Sequence, residues 1–84
     1  MNLTRIEVIF RKDERYLHSM RFIGETELQI GMTDELIEKQ GYSDGNKAGR
    51  VKTLTLEPGE ELIGCEIHHN KYFTFGVTWL TYRF

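Results

Sequence analysis

The run from Lys52 to Phe84, KTLTLEPGEELIGCEIHHNKYFTFGVTWLTYRF, constrains the fold more than any other part of the chain. Thr53-Leu54-Thr55-Leu56 alternates with the period of a half-buried strand, expected from about Arg50 to Leu56. Glu57-Pro58-Gly59-Glu60 is a turn in which Pro58 presets φ and Gly59 accepts a positive one. A second strand is expected from about Leu62 to His69. Asn70-Lys71 then serves as a tight turn, and Tyr72 to Phe84 forms an aromatic-rich closing strand, with Gly76 marking a bulge or a close backbone approach. Thr78, Leu80, Tyr82 and Phe84 fall on one face of that strand, and Val77, Trp79, Thr81 and Arg83 on the other. Large rings on both faces predict a strand that is central or covered on each side.

The earlier half of the chain repeats the pattern. Arg5 to Phe10 alternates, with Ile6, Val8 and Phe10 opposite Arg5, Glu7 and Ile9. Arg11 to Arg15 is a charged turn, and Tyr16 to Ile23 resumes extended structure to complete a hairpin. There Tyr16, His18, Met20 and Phe22 fall opposite Leu17, Ser19, Arg21 and Ile23. Gly24 interrupts, and Leu28, Ile30 and Met32 form a third short run. From Thr33 to Gly41 two readings are open: plain loop, or a short helix capped by Thr33 with Asp34 and Glu35 early and Lys39 late. Gly41 to Gly49 reads as loop. The expected class is all-β and antiparallel, with about six strands.

Eighty-four residues with a net charge of −2 correspond to a single domain over 1–84. A chain of this size buries roughly 60–65% of its extended surface, so the stability margin is narrow. Residues 24–63 carry nine acidic and four basic side chains, which argues against a nucleic-acid surface. The basic set Arg5, Arg11, Lys12, Arg15 and Arg21 is interleaved with Glu7, Asp13 and Glu14 and reads as a solvated hairpin. No apolar run approaches the ~20 residues of a membrane helix, so no membrane partner is expected. The single cysteine, Cys65, excludes an internal disulfide framework, and the expected location is cytoplasmic.

The order of these pieces resembles a jacalin-like (β-prism) domain. Ile6-Glu7-Val8-Ile9-Phe10 matches the opening I-x-V-x-F strand of that family, and Met20-Arg21-Phe22-Ile23-Gly24 its second strand. Leu56-Glu57-Pro58-Gly59-Glu60-Glu61-Leu62-Ile63 is similar to its x-G-E-x-I turn, and Val77-Thr78-Trp79-Leu80-Thr81-Tyr82 to a later I-x-S-L-T-F strand. The resemblance implies an antiparallel sandwich or a truncated β-prism, shortened or degenerate. The sugar site of the family pairs an N-terminal glycine with a G-x-x-x-D loop. Gly41-Tyr42-Ser43-Asp44 lacks that spacing and Gly45 to Gly49 lacks the aspartate, so no residue inherits the site.

Cys65-Glu66-Ile67-His68-His69 contains zinc-ligand types, and His18 is a further weak candidate. On a strand, Cys65 and His69 point away from Glu66 and His68, so too few side chains converge for a closed metal site. No metal or other cofactor is expected. A Cys65–His nucleophile pair lacks a following loop or helix to supply oxyanion donors, so the chain is not expected to be an enzyme. The remaining expectation is a non-enzymatic binding or assembly module. It would mediate protein–protein interaction or self-association through an edge strand, with Trp79, Tyr82 and Phe84 supplying apolar area. The alternative is a lectin-like module binding carbohydrate, with Tyr72, Tyr42 or Trp79 stacking on a sugar ring.

Overall fold

β1 (Leu3–Arg11) is hydrogen-bonded on both sides, antiparallel to β2 (Leu17–Gly24) and to β4 (Ala48–Thr55). The short β3 (Glu27–Gly31) adds to the far side of β2, giving a sheet in the order β3-β2-β1-β4. β5 (Glu60–His69) and β6 (Thr74–Arg83) form a separate antiparallel hairpin. The chain is therefore all-β with six strands in two antiparallel sheets. The computed structural model describes residues 3–71 and 74–83. The readings that rest on Tyr72 and Phe84 lie outside these residues.

The period-two pattern of β1 explains its place. Ile6 is fully buried and Val8 is 5% exposed, and cross-strand pairing sets Phe22 and Leu54 beside Ile6 and Met20 beside Val8. The hairpin meets the main sheet on this face. Trp79 presents its edge to Phe22, with ring centroids 6.1 Å apart and planes at 88°. A cleft of about 430 Å³ separates the two sheets, lined by Val8, Phe10 and Leu54 on one wall and by Val77 and Trp79 on the other.

On the opposite face the ladder is irregular. Ile9 pairs with Ser19 but Phe10 with Leu17, which leaves His18 as the extra residue of a bulge in β2. A second shift, between Ile9 and Arg11, bulges the start of β4. Both lie near α1 (Asp34–Lys39), whose Thr33 side chain accepts a hydrogen bond from the Leu36 amide as an N-cap. Of the two readings of this segment, the structure takes the helix. Six residues hold because Ile37 is 2% exposed and Asp34 is tied to the sheet. The expected loop at Gly41 to Gly49 contains a 3-10 turn at Asp44–Asn46 and gives its last two residues to β4.

One expectation is corrected. β6 is not covered on each side: among the described residues it pairs with β5 alone, and Phe75, Leu80 and Tyr82 are 48%, 50% and 55% exposed. The large rings divide between inward Trp79 and an outward face, because the hairpin meets the main sheet through one of its two faces. Gly76 borders the bulge expected there: His68 pairs with Gly76 but His69 with Thr74, which leaves Phe75 as the extra residue of β6. The backbone approach is ordinary, since an added Cβ at Gly76 would meet His68 atoms at 3.6 Å.

Gly31 is the glycine the sheet requires. Its φ is +103°, and a Cβ there would lie 2.8 Å from the His18 carbonyl oxygen and 2.9 Å from the Ser19 Cα. Gly31→Ala should therefore cost about 2–4 kcal/mol, through clash and left-handed strain together. Urea unfolding reads this directly, and a loss below about 0.5 kcal/mol would contradict the close approach.

Candidate functional site

The bulge at His18 brings together two neighbours that a regular strand would send to opposite faces. His18 is 7% and Ser19 3% exposed. The Ser19 hydroxyl lies 2.7 Å from His18 Nδ1, and His18 Nε2 lies 2.9 Å from Asp34 Oδ1. A carboxylate only accepts, so Nε2 carries its hydrogen toward Asp34, and in the neutral ring Nδ1 accepts from Ser19. Asp34 Oδ1 also accepts the Ala48 amide at 2.8 Å. One carboxylate thus joins β2, α1 and the start of β4. The main chain is fixed too, since the Met32 amide donates to the His18 carbonyl at 3.0 Å. Gly31 supplies the room, because Ser19 pairs with it across the strands.

These are the residue types of a hydrolytic triad, but their placement serves structure. Ser19 Oγ is held against Nδ1, and its residue is 3% exposed, which closes it to a substrate carbonyl. The adjoining cavity, about 210 Å³, is lined by Leu17, Met20, Ile30 and Thr74 as well as by His18, Ser19 and Gly31. Apolar side chains dominate it.

The Cys65–His69 segment does not assemble a site. Cys65 is exposed opposite Trp79, and His68 is bonded through Nε2 to the Thr78 hydroxyl at 2.7 Å. A register shift separates His68 from His69, whose Nδ1 turns to the Asn70 carbonyl at 3.2 Å. His18 is engaged with Ser19 and Asp34. No group of three or more metal-ligand side chains converges among the described residues.

Of the residues weighed for binding, Trp79 faces inward as the hairpin's anchor on Phe22, Tyr82 stands on the outward face, and Tyr42 is 56% exposed. What distinguishes β6 is its charge. β4 carries Arg50 and Lys52, β5 carries Glu60, Glu61 and Glu66, and β3 is five residues long and begins at Glu27. From Thr74 to Tyr82 β6 carries none, and Arg83 at its end is paired with Glu57. Comparison with protein-family models, curated proteins and solved structures finds no match to this chain.

The Asp34 carboxyl is held below its ordinary 3.8, chiefly by the Ala48 amide and further by His18 and Lys47, with desolvation working against them. A carboxyl whose folded value is depressed contributes stability above its unfolded value, and that contribution fades as the pH falls through the folded one. Asp34→Ala should therefore destabilise the chain at pH 7, and the difference from wild type should narrow below about pH 4. Denaturation midpoints measured between pH 2.5 and 7 test this, and a difference independent of pH would refute it.

Proposed function

We propose that this chain is a non-enzymatic assembly module that adds a polypeptide strand to the outer edge of β6. The observation that carries this reading is the uncharged edge from Thr74 to Tyr82, ten-residue β6 being the one strand without an interrupting charge or a short span. An exposed edge presents alternate N–H and C=O groups as a template for pairing, and proteins that leave such edges free blunt them with charges, proline or bulges. β3, β4 and β5 show such protection by charge or short span, whereas β6 has only a bulge at Phe75, ahead of the uninterrupted run from Gly76 to Tyr82. The outward side chains Phe75, Leu80 and Tyr82 supply apolar area beside that edge. The all-antiparallel architecture is compatible with this use of the fold at the level of class.

In a strand paired on one side only, alternate amides point toward the partner and alternate ones toward solvent. At dilutions where single chains prevail, every second amide of β6 should exchange within minutes while those facing β5 are protected. Site-resolved hydrogen exchange gives the answer. Uniform slow exchange along β6 in a single chain would mean that the chain covers its own edge, and the proposal would fall.

A further inference from the structure

We infer that the partner at the β6 edge is a second copy of this chain, joined about a twofold axis near Thr78 so that the two hairpins form one four-stranded antiparallel sheet, β5-β6-β6-β5. The inference rests on the strand-addition reading above and names its partner.

Self-complementarity is the first ground. A twofold antiparallel contact sets each strand against itself in reverse, so a strand whose charges are all of one sign brings like charges near one another. Such pairing would bring Arg50 and Lys52 of β4 against like charges, and the glutamates of β5 likewise. β6 alone has no charge to repel its copy across Thr74 to Tyr82. An axis at Thr78, the middle of that run, also places Leu80 of each copy across from Gly76 of the other. The glycine leaves space for the larger side chain.

Area is the second ground. The chain exposes 6043 Å². A folded monomer of 9.9 kDa is expected to expose about 5,200 Å². The surplus, roughly 840 Å², is what one partner contributes to a standard interface of about 1,600 Å². Shape agrees: the radius of gyration is 14.0 Å, against about 12 Å for a compact chain of this length. Leu80 and Phe75 are half exposed on the strand that would make this contact.

The test is light scattering over a concentration series, together with hydrogen exchange at β6, on wild type, Thr78→Lys and Thr78→Gln. The glutamine variant loses the same bond to His68 without adding charge, so it controls for local damage. Wild type should reach twice the 9.9 kDa chain mass at tens of micromolar, with the outward amides of β6 protected in that species. Two lysines at the axis should weaken association at least about 10-fold relative to Thr78→Gln, and added salt should restore part of the loss. A monomer at every concentration with open β6 amides would overturn the second-copy inference and leave strand addition to a different polypeptide standing. A monomer with β6 protected throughout would overturn both, as would a dimer indifferent to Thr78→Lys with β6 still open.

Discussion

Hydrogen bonding on both sides of β1 is the constraint against which the rest of the structure is registered. With Ile6 and Val8 buried on one face and Ile9 on the other, β1 is paired along both edges and carries buried side chains on both faces. A slip of one residue would turn all three to the wrong face, so the pairing is fixed strongly even though the core is small. The two bulges bordering Ile9 then set the end of the sheet where α1 sits. The Asp34 carboxylate spans both irregularities, reaching His18 in one strand and Ala48 in another. A six-residue helix, too short to persist by itself, is kept by that bridge and by Ile37.

Much of this was legible in the residues. Alternation located the strands to within about two residues, the Pro58-Gly59 turn was recognisable, and Gly59 adopts φ +82°. The Thr33 cap and its acidic first turn were visible, though nothing local decided whether the helix would form. The arrangement around His18 was not legible, because period-two reasoning assumes an unbroken ladder. A single extra residue in β2 reverses that assumption for His18 and Ser19 and draws the histidine toward Asp34 instead of toward Cys65 or His68. Two hints existed: a histidine beside a serine in an apolar run, and Gly31 closing a strand where a side chain would be expected. Neither says that the three meet.

The candidate surface was partly visible for the opposite reason. Absence of charge along a strand is a property of the sequence itself, whereas the side of the strand left open depends on how the other strands pair. The aromatic richness of the closing strand suggested burial on both faces. In the fold, Trp79 serves the interior contact and Leu80 and Tyr82 the exterior, so the same composition yields an anchored strand with an open flank.

The hairpin and the larger sheet are joined through the Trp79–Phe22 edge contact and the covalent turn at Glu57 to Gly59, where the Glu60 amide closes on the Glu57 carbonyl at 2.9 Å. A thin seam of this kind, next to a cleft rather than a filled interior, divides the molecule mechanically into a stiff leaf and a compliant one. Tension applied near Arg83 would unseat the compliant leaf at Trp79 while the ladder around β1 is still intact, and the Pro58-Gly59 turn would act as the joint on which it swings.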